Sequence, residues 1–370
     1  MLRETTERVG RPGVAGVAAV GQLVRQPGAW LCHRRAPGVV ISSRVRLARN
    51  VRDYTFPGWA GEEERGRLWA RLGEALAGLD SIPDAIRLDL GALNAVDKEI
   101  LTERHLISHE MAEKGAGCGL VLSADESIAV MVNEEDHLRL QAMTPGMDLA
   151  AIWRRVDAVD SELESRAEYV FSQRLGYITA CPSNLGTGLR ASVMMHLPGL
   201  RLMDEIEAVI NGLEKIGFAV RGLLGEGTEA NGNFFQISNQ ASLGVAEEGI
   251  VAGLARIVAE VERHELNARG RLLDGRRRLL LDQIGRALGI LLHARVLSSS
   301  EAVELLSAMR LGVELGLIEG VAVGRLNELL LRTQPGHLQR LSGGAIQTED
   351  RDELRARTVS AKLAAARLTA

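Results

Sequence analysis

The stretch GLVLSADESIAVMVN, from Gly119 to Asn133, decides the fold class of this chain. Its two apolar runs, GLVLS and IAVMVN, have the length and composition of strands. The segment between them, SADES (Ser123 to Ser127), has the composition of a turn. Because strands joined by so short a turn pair side by side, the stretch predicts a β-hairpin within an antiparallel sheet.

Similar segments lie on both sides of this hairpin, as far as about Leu243. Helical periodicity and further strand candidates alternate there, which predicts an α+β fold with an antiparallel sheet flanked by helices. The strand candidates are Ile86 to Leu90, Phe218 to Leu223 and Phe234 to Ser238, and the helix candidates are Glu62 to Leu79, Asp148 to Phe171 and Met203 to Ile216.

The pattern changes after Leu243. From Ala246 to Leu331 the chain is rich in Leu, Ala, Arg and Glu and predicts helices almost throughout. Ser298 precedes an acidic first turn and predicts a capped helix start. The last segment, Glu349 to Ala370, predicts one amphipathic helix. We therefore expect an N-terminal extension over residues 1–38, a domain over 39–268, and an all-helical domain over 269–370.

The composition is that of an ordinary globular protein. The chain has 370 residues and a net charge of −4, which gives no global basic field for nucleic acid. Cys32, Cys118 and Cys181 form no CxxC pair and no zinc-ligand spacing, so we expect a reduced, cytoplasmic setting. The apolar run Gly13 to Val24 is short and broken by glycine, which indicates a poorly ordered extension rather than a signal peptide. We expect no membrane span.

Arginine supplies 40 of the 44 basic residues, and four arginine-bearing segments also contain turn-forming residues. One of these segments, Asn184 to His196, lies within CPSNLGTGLRASVMMHLP, Cys181 to Pro198. We interpret this longer stretch as a thiol, a glycine-rich loop and the start of a helix. A single arginine is usually a solvated surface charge, but four such motifs together predict cations that converge on a triphosphate. The segments are Ser42 to Asn50, Asn133 to Arg139, Asn184 to His196 and Arg221 to Gly232, with Arg44, Arg46, Arg139, Arg190 and Arg221 as candidates.

Carboxylates in the same segments suggest the second substrate. Glu134, Glu135 and Asp136 follow an apolar strand, and Glu229 lies in a glycine-rich loop. Carboxylates beside a triphosphate would repel it, whereas they would bind a guanidinium. A guanidinium has a pKa near 13, so it needs a base to become a nucleophile. In isolation the acidic residues would be a turn and the glycine-rich loop a flexible connection.

The motifs of other kinases are missing from the sequence, including GxxxxGK[ST], HRD and DFG. Cys181 is either an ordinary buried thiol or a thiolate that pairs with a substrate guanidinium. His105 and His196 are typical packing residues, although His105 could donate a hydrogen bond to a nucleotide.

In order and spacing, SSRVR, NEEDHLR, CPSNLGTGLRASV and RGLLGEGTEANGNFFQISN resemble the phosphagen (ATP:guanido) kinases, over roughly Val39 to Leu243. The resemblance implies their catalytic domain, with its glutamine-synthetase-like sheet, and ATP with Mg²⁺. It implies Glu135 as the base, Glu229 as the second guanidinium carboxylate and Cys181 as the active-site thiol. The implied ATP-binding residues are Ser42, Ser43, Arg44, Val45, Arg46, His105, Arg139, Arg190, Ala191, Ser192, Val193, Met194, Arg221, Gly222, Leu223, Leu224, Gly225 and Glu226.

Two departures point to one branch of that family. Only 41 residues precede Ser42, too few for the helical domain that phosphagen kinases carry there, and a helical region with RDELRA (Arg351 to Ala356) follows. The chain thus resembles the bacterial protein-arginine kinases. No protein-built metal site is expected. The resemblance implies a phosphoarginine-binding regulatory role for Arg351, Asp352, Arg355 and Ala356.

The same resemblance implies a stress-response function in which phosphorylated arginines mark proteins for degradation. It implies a cytoplasmic homodimer whose C-terminal domain mediates dimerisation. The implied partners are protein substrates with exposed arginines, a zinc-finger-type activator, a stress-response repressor and a Clp-type unfoldase-protease, with no direct nucleic-acid or membrane partner. The alternatives are a free-arginine phosphagen kinase and a catalytically weak phosphoarginine-binding adaptor.

Overall fold

The structure is a computed structural model that describes residues 12–31, 38–222, 231–344 and 346–369. Strands in these ranges form one large sheet and two small two-stranded pairs. The strands of the large sheet are β1 (Val40–Arg49), β2 (Ile86–Asp89), β3 (Gly119–Leu122), β4 (Ile128–Val132), β5 (Leu138–Pro145), β8 (Leu189–His196), β9 (Phe218–Gly222) and β10 (Phe234–Asn239). The small pairs are β6 (Phe171–Ser172) with β7 (Gly176–Tyr177), and β11 (Ile318–Glu319) with β12 (Arg367–Leu368).

The large sheet has the order β2-β3-β4-β5-β1-β8-β10-β9, and all of its pairings are antiparallel. The predicted hairpin is confirmed as β3 and β4. Asp125 closes its turn by accepting hydrogen bonds from the hydroxyls of Ser123 and Ser127, both at 2.6 Å. The predicted α+β class with an antiparallel sheet is therefore confirmed.

Helices pack on both faces of this sheet and make up most of the C-terminal region. They are α1 (Pro12–Leu23), α2 (Glu62–Ala77), α3 (Ala95–Glu103), α4 (His109–Glu113), α5 (Leu149–Glu164), α6 (Pro198–Leu202), α7 (Ile206–Lys215), α8 (Glu247–Gly275), α9 (Arg277–His293), α10 (Ser299–Glu314), α11 (Val323–Arg332), α12 (Pro335–Ser342) and α13 (Thr348–Leu363). No helix in the described ranges is both long and apolar enough to cross a bilayer.

The two faces of the sheet differ in chemistry because side chains alternate along each strand. On β1, Val45 and Leu47 belong to an apolar layer that α2, α5, α7 and α8 cover. Arg44 and Arg46 lie on the opposite face and are half-buried. The flanks of that second face are apolar and are covered by α1, α3 and the C-terminal helices. The arginines therefore lie between two covered flanks.

The structure corrects two expectations about local structure. The segment after the glycine-rich loop is the central strand β8, not the start of a helix, because β1 and β10 pair with it on both sides. A continuous buried apolar run has no periodicity that separates a strand from a helix. The expected poorly ordered extension contains α1, whose Val20 and Leu23 are buried in the same apolar cluster as Leu88 and Leu93.

The C-terminal region agrees in outline with the sequence. Ser298 caps α10 as expected, since its side chain accepts a hydrogen bond from the amide of Glu301 at 3.2 Å. The last predicted helix is shorter than expected. It ends at Leu363, and the chain then forms β12, which pairs with β11.

Candidate active site

The strand registers bring the five predicted arginines to one face of the sheet. Arg46 on β1 lies opposite Arg190 on β8, and Arg44 lies opposite Ser192. Arg139 on β5 pairs with Ala48, two residues along β1 from Arg46 and therefore on the same face. Arg221 on β9 pairs with Gln236 on β10, and Gln236 pairs with Met194 on β8, so Arg221 lies on the same face. Four strands of one sheet thus supply the arginines of one cationic surface.

These guanidinium groups have few partners within the described residues. Arg44 donates to Gln236 Oε1 at 2.7 Å, and Arg190 donates to Ser238 Oγ at 3.2 Å. The Nε atoms of Arg46 and Arg190 are buried with no hydrogen-bond acceptor. Among the described side chains, only Arg139 of this set forms an ion pair, with Glu134. Unpaired cations at close range call for an anionic ligand with several charges.

Burial and mutual repulsion both lower the pKa values of three of these arginines. Burial, followed by the charges of Arg139 and Arg190, lowers the pKa of Arg44 to about 9. Burial and the neighbouring arginines also lower the pKa values of Arg46 and Arg190. A polyphosphate would relieve this repulsion, since it would replace lost water with negative charge.

The remaining predicted ATP-binding residues are divided between the two faces. Ser42, Ser192 and Met194 share the arginine face and line a pocket next to Arg44. The side chains of Val45, Ala191 and Val193 lie in the opposite apolar layer, and the Ser43 hydroxyl donates to Gly146 O on that side at 2.8 Å. These four contribute no side chain to the arginine face. Gly222 ends β9, while Leu223, Leu224, Gly225, Glu226 and the predicted catalytic Glu229 lie outside the described residues.

The pocket next to Arg44 contains two aromatic rings. His105 packs edge-to-face on Trp30, with ring centroids 4.7 Å apart. Burial, followed by the charge of Arg44, lowers the pKa of His105 to about 3, so the ring is neutral at physiological pH. The lining residues are Trp30, Ser42, Arg44, His105, Met143, Ser192, Met194 and Gln236. Trp30, Met143 and Gln236 were not among the predicted site residues. The alternation of FFQIS would place Gln236 opposite its buried neighbours, but no sequence pattern marks Trp30.

The acidic turn gives its three carboxylates different surroundings. Glu134 is buried and accepts hydrogen bonds from Arg139 Nη1 at 2.5 Å, Ser108 Oγ at 2.6 Å and the amide of Glu135 at 3.0 Å. Burial alone would raise its pKa, but Arg139 and these hydrogen bonds lower it to about 2. Glu135 is exposed, and partial burial together with the charges of Asp136 and Glu134 raises its pKa. Of these three carboxylates, only Glu135 is exposed and so available to accept a proton from a ligand.

Asp136 joins this turn to the loop that carries Cys181. Its Oδ1 accepts hydrogen bonds from Asn50 Nδ2 at 2.6 Å and from the amide of Ala180 at 2.7 Å. Cys181 is half-buried, and its Sγ lies 3.0 Å from Ser183 Oγ. Cys181 is close enough to Arg190 for negative charge on its sulfur to oppose the lowering of that arginine's pKa. The thiol and the Glu135 turn are thus held next to the cationic surface.

The glycine-rich loop between Cys181 and β8 requires its glycines. Gly186 and Gly188 have φ angles of 102° and 67°, which residues with a Cβ rarely adopt. A Cβ on Gly188 would lie 2.6 Å from Ala48 O, and one on Gly186 would lie 2.7 Å from Ser242 O. Buried Arg49 also supports this loop by donating to Thr187 O at 2.8 Å.

The predicted regulatory residues lie on α13, far along the chain from this surface. Arg351 is half-buried and donates to Thr348 Oγ1 at 3.0 Å. Arg355 is only 1% exposed and donates to Leu297 O at 2.7 Å and Thr333 O at 2.8 Å. It also pairs with Asp352. Most of the Arg355 fork is therefore engaged within the protein, and Ala356 is buried in the apolar core.

Two family models match this chain. Residues 73–268 match the ATP:guanido phosphotransferase C-terminal catalytic domain, and residues 277–369 match the protein-arginine kinase McsB C-terminal domain. The protein-arginine kinase of Halalkalibacterium halodurans is 44% identical over 328 residues, 88% of this chain and 92% of that relative. The protein-arginine kinase of Symbiobacterium thermophilum is 46% identical over 330 residues, with 88% and 94% covered. The chain belongs to the protein-arginine kinase family.

Solved structures agree with this assignment. The lombricine kinase structure has a TM-score of 0.55 at 29% identity, with 68% of this chain and 73% of that chain covered. The duplicated taurocyamine kinase of Schistosoma mansoni, with bound transition-state-analogue components, has a TM-score of 0.56 at 28% identity. That match covers 67% of this chain and 38% of the duplicated chain. The resemblance to phosphagen kinases in the sequence is confirmed.

Proposed function

We propose that this protein transfers the γ-phosphoryl group of ATP to the guanidinium group of arginine side chains in proteins. One observation carries the proposal: a surface of five arginines, of which only Arg139 has an anionic partner among the described side chains, lies beside an acidic turn with one exposed carboxylate, Glu135. The first feature suits a polyphosphate donor and the second a cationic acceptor. The names of the curated relatives support the same reaction.

ATP would bind with its phosphates along the face formed by Arg44, Arg46, Arg139, Arg190 and Arg221. The unpartnered Nε donors of Arg46 and Arg190 fit phosphate oxygens. The pocket of Trp30 and His105, at the Arg44 end of this face, suits the base or ribose. The described residues contain no cluster of three metal-ligating side chains. We therefore infer that Mg²⁺ binds mainly through the phosphates, where it would neutralise charge.

The acceptor guanidinium would bind between Glu135 and Cys181. In this arrangement Glu135 orients one nitrogen toward the γ-phosphorus and accepts its proton as the N–P bond forms and the γ-phosphorus–oxygen bond to ADP breaks. A raised pKa suits this role, because the base must be ionised before the reaction and hold a proton after it. The predicted partner Glu229 would contribute the second carboxylate.

Several finer features remain proposals by similarity. We infer a cytoplasmic homodimer that acts in bacterial protein quality control and the stress response, where arginine phosphorylation marks proteins for degradation. An activator of zinc-finger type, a stress-response repressor and a Clp-type unfoldase-protease are the expected partners. Phosphoarginine would regulate the enzyme allosterically through Arg351, Asp352, Arg355 and Ala356.

One assay separates this function from its two rivals. The protein is incubated with Mg-ATP and either an arginine-rich protein or free arginine, and phosphate is tested for acid lability. We expect acid-labile phosphate on the protein substrate. Label on free arginine alone would favour a phosphagen kinase, and no label would favour a phosphoarginine-binding adaptor. Label with the acid stability of phosphoserine would contradict guanidinium phosphorylation. Glu135→Gln serves as the matched inactive control.

A further inference from the structure

The C-terminal helical region is joined to the pocket of His105 by a buried chain of hydrogen bonds. The His337 ring on α12 is fully buried, with Nδ1 2.6 Å from Glu103 Oε2 and Nε2 3.3 Å from Arg104 Nη1. Glu103 and Arg104 end α3, and His105 follows directly. A residue more than 230 positions away in sequence thus touches the neighbour of a pocket residue.

The direction of each hydrogen bond in this network follows from Arg104, whose side chain can only donate. The guanidinium of Arg104 can donate hydrogen bonds but cannot accept them, so its Nη1 donates to Nε2 of His337. That ring nitrogen must then carry no proton. The Nδ1–H of His337 consequently donates to Glu103. The other oxygen of Glu103, Oε1, accepts from the amide of Gly336 at 2.7 Å. The carboxylate therefore holds both the ring and the first turn of α12.

Arg104 is the centre of this network. It is fully buried and forms a two-pronged ion pair with Glu126 in the β3–β4 turn, at 2.5 and 2.8 Å. Its Nη2 also donates to Gln26 O at 3.2 Å, in the segment that leads to Trp30. One side chain thus fixes the hairpin turn, the C-terminal region and the segment that supplies the aromatic wall of the pocket.

The backbone of His105 shows why such support is needed. Its φ angle is +58°, in the left-handed region that residues with a Cβ rarely adopt. Such a conformation persists only where the surroundings hold it. Arg104 fixes the chain on one side, and Gln141 Nε2 donates to His105 O at 2.6 Å on the other.

We propose that His337 and Glu103 are positioning residues for the nucleotide site: through Arg104 they hold His105 and Trp30 in the arrangement that receives ATP. The helical C-terminal region then completes the ATP site without touching the nucleotide. This inference rests on the proposed function in one respect, that the pocket next to Arg44 is part of the ATP site.

The test compares His337→Ala with two matched variants in the full-length protein. Gln339→Ala removes a 3.1 Å hydrogen bond to Glu99 between the same two helices, without touching Arg104. His337→Gln keeps one donor and one acceptor. The dissociation constant for Mg-ATP is measured by calorimetry, KM values for ATP and for a protein substrate by kinetics, and folding by thermal unfolding.

We expect His337→Ala to raise the dissociation constant and KM for ATP about tenfold, the size of one lost hydrogen bond to a charged group. The KM for the protein substrate should stay within about twofold, and the His337→Gln variant should recover most of the ATP affinity. Gln339→Ala should leave ATP affinity unchanged. An unchanged ATP affinity in folded His337→Ala, or an equal loss in the Gln339→Ala variant, would overturn the proposal.

Two further outcomes are distinguishable. If His337→Ala does not fold, Glu103→Gln tests the same link with its volume preserved, and unchanged ATP affinity in that variant overturns the proposal. If the wild-type protein itself binds no ATP, the proposed function fails first, and this inference fails with it.

Discussion

Replacing Glu134 by glutamine should destabilise the protein in a strongly pH-dependent way. Glu134 is only 3% exposed, and its carboxylate binds Arg139, the Ser108 hydroxyl and the amide of Glu135. Glutamine keeps the volume but removes the negative charge. Arg139 would then be a half-buried cation without its counter-ion, next to Arg44, whose pKa the Arg139 charge already lowers.

The pKa of Glu134 gives the magnitude. Its usual value of 4.5 falls to about 2 in the folded protein, and each pKa unit corresponds to about 1.4 kcal/mol, so the ionised form contributes about 3 kcal/mol. A folded pKa below the unfolded one means that this stability is fully present above about pH 5. It is lost as the pH falls from there toward 2. The variant should lack this contribution at every pH.

The assay is urea unfolding of both proteins at pH 7 and at steps down to pH 3. We expect the wild-type protein to be about 3 kcal/mol more stable at pH 7, with the difference shrinking as the pH falls. Glu168→Gln is the control, because Glu168 forms an exposed pair with Arg52 and should contribute little. A constant difference between wild type and the Glu134→Gln variant across this pH range would refute the reasoning.

Four further predictions follow from the site. Glu135→Gln should lower kcat by about 10² to 10⁴ with unchanged ATP affinity. It should also abolish the fall of kcat at acidic pH, which the raised pKa of Glu135 places above pH 4.5 in the wild-type protein. A near-wild-type kcat would assign the base to another residue. Cys181→Ala should raise KM for the protein substrate about tenfold while sparing KM for ATP; equal effects on both would exclude a guanidinium contact. Gly188→Ala should cost about 2 kcal/mol or more in urea unfolding, because its φ of 67° and the 2.6 Å approach to Ala48 O exclude a Cβ; a stable variant would show that the loop rearranges. Arg355→Ala should lower the free energy of unfolding by about 2–4 kcal/mol, because it leaves two buried carbonyl groups without hydrogen-bond donors. Kinetics measured with and without phosphoarginine would show whether the variant also changes regulation.

The fold could be predicted where local signals and tertiary pairing agree. The β3–β4 hairpin followed from a turn between two apolar runs, and α10 followed from Ser298 and its acidic first turn. The central strand β8 could not be recognised, because strands on both sides bury it and its sequence shows no alternation. The helix α1 was missed for a different reason. Its stability comes from burial against β2 and α3, which no local pattern reveals.

The sequence was enough to predict which charged residues form the site, but not which residues contact one another there. Strand alternation was enough to place Arg44 and Arg46 on one face, and the registers then added Arg190 opposite Arg46. The residues alone did not distinguish the roles of Glu134 and Glu135, and only the family resemblance implied Glu135 as the base. Trp30 was missed because its position in the pocket depends on packing between β1, β5 and the C-terminal region, which links residues far apart in sequence.

Glu134 and Glu135 show how one turn can serve two opposite needs. Adjacent residues in a turn point to different sides, so Glu134 is buried against Arg139 while Glu135 faces solvent. Burial and the charge of Asp136 raise the pKa of Glu135, and the same negative charge that neutralises Arg139 raises it further. Every step that holds Glu134 ionised thus makes Glu135 a stronger base. The acidic turn therefore supplies a fixed counter-ion for the phosphate-binding face and a proton acceptor for the guanidinium. If Glu134 were exposed and Glu135 were buried against Arg139, neither residue could perform the role that it has here.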